Sequence, residues 1–130
     1  MVRIIIVTAL GLLLSGFGAE AQVGRRIAAS GVPILLYQAN TTNPDCSPMG
    51  RPVIRHIQTP QHGRLIVSNT SVFPNFSPSN VRSACNSRRV PGVVVKYVSR
   101  RGYAGVDSTA FEIYFPTGIA RRAAFSILVR

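Results

Sequence analysis

Acidic residues are scarce in this chain: its 130 residues include four Asp and Glu but fifteen Lys and Arg, a formal net charge of +11. Outside the N-terminal leader only Asp45, Asp107 and Glu112 remain. A glycosidase needs two carboxylates that converge on one bond, whereas Asp107 and Glu112 lie five residues apart in sequence, about 16 Å in an extended chain. With so few carboxylates, the sequence also offers no calcium site.

Long apolar segments are missing after the N-terminus. A basic residue precedes an apolar run from Ile4 to about Leu14, and small residues follow up to Ala19-Glu20-Ala21. This is the layout of a secretory signal peptide cleaved before Gln22, because the run is shorter than the roughly 20 residues that span a bilayer. We predict a signal peptide at 1–21 and a single domain at 22–130. The domain is expected to be exported, periplasmic or extracellular, without a membrane-spanning segment after cleavage.

Cysteine and histidine are also rare: Cys46, Cys85, His56 and His62 are the only ones. A zinc finger needs four such ligands at characteristic spacings, and these positions match none of those patterns. In a small exported domain, an even pair of cysteines is typical of a disulfide. We predict a Cys46–Cys85 bond, and closing a loop of about 40 residues is worth on the order of 4 kcal/mol in the chain-entropy model.

Catalytic motifs are absent from the sequence. There is no G-x-S-x-G nucleophile elbow, and no P-loop, dinucleotide fingerprint, H-E-x-x-H or EF-hand motif. A Cys–His nucleophile would require Cys85 to stay reduced after export, and His62 stands between Pro60 and Gly63 as in a turn. We therefore predict no enzyme activity, no catalytic residue, no metal site and no cofactor.

Helical periodicity is missing too, and nine prolines and eleven glycines interrupt the chain. Short β-branched and aromatic runs lie between them, which favours an all-β sandwich or barrel. The strand candidates are 32–38, 52–58, 63–68, 92–98, 109–115 and 122–130. Segments 39–51 and 69–92 are predicted to be long loops, and each carries one of the two cysteines.

Alternation of period two in these runs predicts which side chains form the core. The predicted inward residues are Leu65, Val67, Val93, Val95, Tyr97, Thr109, Phe111, Ile113, Phe115, Ala123, Phe125, Ile127 and Val129. Pro-Thr-Gly at 116–118 joins the last two runs and predicts a short hairpin connection.

The stretch GYAGVDSTAF (102–111) places an Asp–Ser pair among glycines and aromatic residues. We interpret it as a turn that leads into a strand, not as a reactive site. Gly102 and Gly105 supply backbone freedom. Asp107 and Ser108 are expected to hydrogen-bond local backbone N–H groups and so fix the turn.

Three fragments occur in order along the chain: PQHGRLIV (60–67), VVKYVSRRGYAG (94–105) and VDSTAFEIYF (106–115). Together they resemble the bacterial Ig-like, cadherin-like domains of secreted and surface proteins. Those domains typically carry a Pro-x-His-Gly turn, a later strand with Tyr, and then Gly-aromatic-x-Gly-x-Asp-Ser-Phe-x-Tyr. The matching residues here are Pro60, His62, Gly63, Tyr97, Gly102, Tyr103, Gly105, Asp107, Ser108 and Phe111.

The resemblance covers roughly residues 57–130 and implies an Ig-like antiparallel β-sandwich without catalysis, used for structure or binding. Some features depart from the pattern. Thr109 stands where the family usually has Phe, and Pro-Thr-Gly replaces its usual acidic turn. Residues 69–92 form a longer, Cys-bearing insertion. The family usually occurs as tandem repeats in adhesins, whereas this chain carries one copy.

Arginine dominates the positive charge. The leader carries one charge of each sign, so the rest of the chain keeps +11, with thirteen Arg and one Lys as its basic residues. Arg suits bidentate contact with phosphate or carboxylate. Of four doublets, Arg25-Arg26 is assigned to an N-terminal tail and the others to a loop and strand ends. The candidate anion-binding residues are Arg88, Arg89, Arg100, Arg101, Arg121 and Arg122.

These observations favour an exported, non-enzymatic envelope module that engages an anionic envelope component or an acidic protein. Scattered solvated charge without a ligand is the competing interpretation. The alternative function is a cationic protein that binds and regulates or inhibits another secreted protein through loops 39–51 and 69–92. Nucleic acid is not the expected partner: Tyr97 and Tyr103 near Arg100 resemble a stacking surface, but alternation places Tyr97 in the core.

Overall fold

Strand-forming runs punctuated by Pro and Gly produce an all-β chain. The computed structural model describes residues 23–130, which contain seven strands and one short 3-10 helix, Ser83–Ser87. The strands are β1 (Val23–Ala28), β2 (Ile34–Asn40), β3 (Val53–Gln58), β4 (Gly63–Val72), β5 (Val90–Ser99), β6 (Gly105–Tyr114) and β7 (Ala120–Val129). No helix in this part of the chain is long and apolar enough to span a bilayer. The predicted signal peptide, 1–21, lies outside the described residues.

The seven strands form two sheets, with the order β1-β7-β6-β3 in one and β2-β5-β4 in the other. Neighbouring strands are antiparallel except β1 and β7, which are parallel. Cys46 and Cys85 are bonded, with Cα atoms 5.4 Å apart, so the prediction of a β-sandwich with one disulfide is confirmed. Immunoglobulin-type sandwiches separate strands B, E and D from C, F and G. Here β2, β5 and β4 are separated from β3, β6 and β7 in the same way.

The core lies between the sheets and is built from the inward side of each strand. Its members are Ala28, Leu36, Ala39, Val93, Val95, Tyr97, Phe111, Ile113, Ala123, Phe125, Ile127 and Val129. The Phe111 ring lies 5.9 Å from that of Phe125 and 6.0 Å from that of Tyr37. Each buried side chain of this size contributes about 1.5–3 kcal/mol. These contacts hold the strands in place and so fix where the loops begin.

The predicted inward side chains of β5, β6 and β7 are confirmed as buried. Leu65 and Phe115 are partly buried against the same core. Val67 is 40% exposed, so its assignment to the core is wrong. The physical reason is its place on β4, an edge strand of the smaller sheet, which the other sheet covers incompletely.

Strand β1 is not predicted by the sequence pattern, and Arg25 and Arg26 lie in it rather than in a tail. Only Ala28 of this strand is buried, so apolar alternation is missing. Backbone pairing with Ala124–Val129 of β7 holds the strand instead. Gly24 permits the close approach, because a Cβ there would lie 2.8 Å from the Phe125 ring.

The segment 69–92 is only partly a loop, which corrects the sequence prediction. Strand β4 continues to Val72, and β5 begins at Val90. The extension of β4 is polar and exposed at 69–71 and buries only Val72, so it carries no apolar alternation, yet its backbone pairs with the first residues of β5. The connection that remains is 73–89. The predicted hairpin at 116–118 is confirmed, with the Gly118 amide donating to the Phe115 carbonyl.

The register of the strands decides which connections lie together. Connections 41–52, 73–89 and 115–119 lie at one end of the sandwich, which we call the disulfide end. Connections 29–33, 59–62 and 100–104 lie at the other, which we call the Asp107 end. A strand of ten residues such as β5 spans about 33 Å, so the two ends are separate surfaces.

Candidate functional site

Asp107 lies within β6, not in the turn before it, so the predicted turn position of Asp107 and Ser108 is wrong. The strand begins at Gly105 because the backbone from there pairs with the end of β7. One Asp107 oxygen accepts the local amide of Ser108 at 2.9 Å, as expected. The exposed Ser108 hydroxyl accepts a hydrogen bond from Gln58 on β3.

The main role of Asp107 is to accept hydrogen bonds from the connection between β3 and β4. Its two carboxylate oxygens accept the backbone amides of Gln61 and His62, both at 3.1 Å. The Tyr97 hydroxyl also donates to this carboxylate, at 2.8 Å. Burial, and then this hydrogen bond, raise the pKa of Tyr97 well above its usual range. Asp107 is 4% exposed, so its carboxylate is a buried structural acceptor.

The predicted turn residues His62, Gly63, Gly102 and Gly105 all lie at the Asp107 end. His62 stacks on Tyr103, with ring centroids 4.1 Å apart and planes 6° apart. Gly63 opens β4, and Gly102 lies in the turn after β5 with a φ of 84°. Gly105, with a φ of 141°, passes close to the Tyr103 hydroxyl, which itself donates to the Val106 carbonyl.

The three acidic residues of the described chain all accept hydrogen bonds from the chain itself. Asp45 accepts from the Ser47 hydroxyl and amide, and these bonds lower the pKa of Asp45. Glu112 accepts from the Tyr114 hydroxyl and lies across the strands from Arg55 and Arg122. Fourteen basic residues therefore share three carboxylates, and most of the positive charge has no acidic counterpart in residues 23–130.

The candidate arginines do not form one patch. Arg88 and Arg89 precede β5, and Arg121 and Arg122 open β7, so both doublets belong to the disulfide end. The doublet Arg100-Arg101 follows β5 and lies at the Asp107 end. There an Arg100 Nη atom lies 3.1 Å from His62 Nδ1. All six side chains are exposed. One ligand site can therefore include at most the four arginines of the disulfide end, Arg88, Arg89, Arg121 and Arg122.

The loops of the disulfide end are fixed to one another. The Cys46–Cys85 bond joins them, and Arg82 Nε donates to the Thr42 carbonyl at 2.7 Å. Within the second loop, the Asn86 side chain exchanges two hydrogen bonds with the backbone of Phe76. These contacts are not predictable from the sequence, because Arg82 and Asn86 stand in no periodic pattern. The result is an ordered platform beside Arg88 and Arg89.

Apolar side chains are exposed on the same platform. Val81 is 74% exposed and Phe73 is 48% exposed, with the Arg89 guanidinium 4.9 Å from the Phe73 ring centroid. Beside it, Arg121 lines an open cleft of about 330 Å³ together with Tyr37, Phe76 and Phe115. Arginine next to exposed aromatic rings combines charge with an apolar contact surface, a combination common in protein interfaces.

The cysteines and potential metal ligands of the described residues form no further site. Both cysteines are in the disulfide. Within residues 23–130, no three His, Cys, Asp or Glu side chains are grouped so that they would hold a metal ion.

Comparisons with known proteins add little to this description. No family model matches the chain, and a search of curated proteins finds no match. Among solved structures, the chain is similar to the solution structure of Amebosin, with 14% identity and a TM-score of 0.40. The likeness covers 82% of this chain and 88% of that one. At this TM-score it carries no argument about fold or function.

Proposed function

We propose that this protein is an exported, non-enzymatic Ig-like binding module that engages an anionic partner through the arginines of its disulfide end. The observation that carries the proposal is the imbalance of charge. The three carboxylates of residues 23–130 are occupied by hydroxyl and amide donors of the chain, while Arg88, Arg89 and Arg121 are exposed beside ordered loops. Arginines held near rigid elements bind anions at a lower entropic cost than mobile ones.

The family assignment is part of the proposal and is supported by contacts among the resembling residues. Tyr97, His62 and Asp107 come from separate fragments, yet all three share one hydrogen-bonded cluster, and Tyr103 stacks on His62. A motif that fixes a corner of the sandwich has a structural role, which fits an Ig-like domain and leaves binding to another surface.

Salt-dependent retention tests the anionic partner. The probes are vesicles containing phosphatidylglycerol, neutral phosphatidylcholine vesicles and a poly-glutamate resin. We expect retention on one or both anionic probes, none on neutral vesicles, and a steep fall as salt rises, because exposed charges are screened. Absence of retention on both anionic probes at low salt would refute the proposal.

Matched arginine variants locate the site. Arg88→Gln/Arg89→Gln and Arg121→Gln/Arg122→Gln each remove two charges from the disulfide end. Arg100→Gln/Arg101→Gln removes the same charge from the Asp107 end and serves as the control. We expect the first two variants to lose retention at lower salt than the control. Equal loss in all three would show that net charge acts without a defined site.

The second candidate is a protein that regulates or inhibits a secreted partner through its long loops. It is favoured by one observation, the exposed apolar Val81 and Phe73 on loops held by the disulfide. Binding of this kind is expected to survive high salt and to weaken in the uncharged variant Val81→Ser, whereas anion binding falls with salt and is insensitive to that change.

A further inference from the structure

Within residues 23–130, one stretch of β7 has a sheet neighbour on one side only. Strand β6 pairs with all of β7, from Ala120 to Val129. Strand β1 pairs with β7 only from Ala124 onward. Among residues 23–130, no strand lies beside positions 120–123 on the side of β1. Unpaired N–H and C=O groups on such an edge can pair with another extended chain.

Clefts adjoin this free edge, between the two sheets. The first, of about 360 Å³, is lined by Arg26, Leu36, Tyr37, Arg122 and Phe125, among others. The next two, of about 330 and 150 Å³, share Tyr37, Phe115 and Arg121. Tyr37 is a wall of all three, so the clefts follow the edge from the start of β1 toward the turn before β7.

Arginine flanks the edge on both faces of the sheet. Buried Ala123 and Phe125 mark the inward side of β7, and Arg121 shares their parity, so it lies on the side of the clefts. Arg122 has the opposite parity. Arg26 on β1 lies over the Phe125 ring, 5.1 Å from its centroid. An extended chain placed here would meet positive charge on alternate sides and aromatic rings beneath it.

We propose that the edge at 120–123 accepts an extended acidic segment of a partner protein as an added β-strand, in line with β1. The proposal deepens the proposed function and rests on it, because it names the anionic partner of Arg121 and Arg122. In strand addition, backbone hydrogen bonds supply affinity and alternate side chains supply specificity. Carboxylates of the segment pair with the two arginines, and an apolar residue between them packs on Tyr37 and Phe115.

Charge and chain length favour this occupant over two others. A second copy of the chain would bring its own Arg121 and Arg122 against this edge, and like charges oppose that pairing. The preceding part of the same chain would be reduced to Gln22 by the predicted cleavage, which is too short to cover four residues.

Three peptides test the proposal on the exported form of the protein. They are a labelled Glu-Glu-Val-Glu-Glu-Val peptide, which as a strand presents carboxylates on both faces, the same peptide with Lys in place of Glu, and the acidic peptide N-methylated at alternate backbone nitrogens. We expect the acidic peptide to bind, the Lys peptide not to bind, and N-methylation to weaken binding at least about tenfold, because it removes backbone donors. Amide hydrogen exchange at 120–123 should slow when the acidic peptide binds.

Variants locate the binding. Arg121→Gln/Arg122→Gln should weaken the acidic peptide about tenfold or more, while Arg100→Gln/Arg101→Gln should change it less than about twofold. Equal binding of the N-methylated peptide, or unchanged exchange at 120–123, would overturn strand addition while leaving anion binding intact. If the acidic peptide does not bind and neither anionic probe retains the protein, the proposed function is refuted as well. The amides at 120–123 could instead exchange slowly without peptide, in a protein whose mass shows that residues before Gln22 are retained. That result would show that the preceding part of the chain covers the edge.

Discussion

The Tyr97 hydroxyl donates to Asp107 across 2.8 Å, and this bond connects β5 of one sheet with β6 of the other. The same carboxylate holds the amides of Gln61 and His62 at the corner between β3 and β4. A single buried acid therefore joins both sheets to a connection between them. The Asp–Ser pair resembles a reactive site in the sequence, but in the fold its Asp links these elements by hydrogen bonds.

Removing this carboxylate is expected to destabilise the protein strongly. Asp107→Ala leaves a buried hydroxyl and three backbone amides without this acceptor, and each such loss costs about 1–3 kcal/mol. We expect the free energy of unfolding, measured in urea, to fall by about 3–5 kcal/mol. Tyr97→Phe removes one donor and should cost about 1 kcal/mol. Ser108→Ala, at an exposed neighbour, is the control and should cost less than about 0.5 kcal/mol. An Asp107→Ala protein as stable as this control would contradict the role assigned to Asp107.

Alkaline pH should destabilise the fold through Tyr97. Burial and the Asp107 hydrogen bond raise the pKa of Tyr97 above its ordinary value of 10.0, so the unfolded chain loses this proton first. The stabilisation is complete below about pH 10 and is lost as pH rises through and beyond that value. We expect the free energy of unfolding to fall above about pH 10, and to fall less in Tyr97→Phe.

Absorbance titration of the phenols provides the direct measurement. The chain has four tyrosines, and Tyr97 is fully buried. We expect its ionisation to coincide with unfolding, and the corresponding phase to be missing in Tyr97→Phe. Ionisation of all four phenols in a protein that remains folded would contradict this assignment.

We expect position 63 to require glycine, because any Cβ there would clash with the neighbouring strand. A Cβ there would lie 2.4 Å from the Val98 carbonyl oxygen and 2.9 Å from the Ser99 Cα. These are backbone atoms of a paired strand, so they have little room to shift. Gly63→Ala should lower the free energy of unfolding by about 3 kcal/mol. Gly102→Ala, with nothing within 4 Å but a φ of 84°, should cost about 1 kcal/mol. A smaller loss for Gly63→Ala than for Gly102→Ala would show that the strands separate easily.

The strands that can be predicted from the sequence are those in which apolar and polar side chains alternate. In β5, β6 and β7 one face is buried, so alternation locates both the strands and their core residues. Strand β1 buries only Ala28 and is held by backbone pairing, which leaves no periodic trace. The polar end of β4 is missed for the same reason.

The arginine site is predictable only in part. Exposure of the doublets follows from their places in loops and at strand ends. Whether two doublets share an end depends on strand direction and register, and Arg100-Arg101 is separated from Arg88-Arg89 by the length of β5. The edge at 120–123 depends on the register between β1 and β7, which the sequence pattern does not indicate.

Loss of the disulfide should release the platform while the sandwich persists. The bond closes a loop with a sequence separation of 39, worth about 4 kcal/mol in the chain-entropy model. We expect Cys46→Ala/Cys85→Ala to lower the free energy of unfolding by that amount. We also expect faster amide exchange in 41–52 and 73–89, because these loops lie outside the core. Anion retention through Arg88 and Arg89 should weaken, while exchange at the Asp107 end stays unchanged. Unchanged exchange in both loops would instead show that the Arg82–Thr42 and Asn86–Phe76 hydrogen bonds suffice to order the platform.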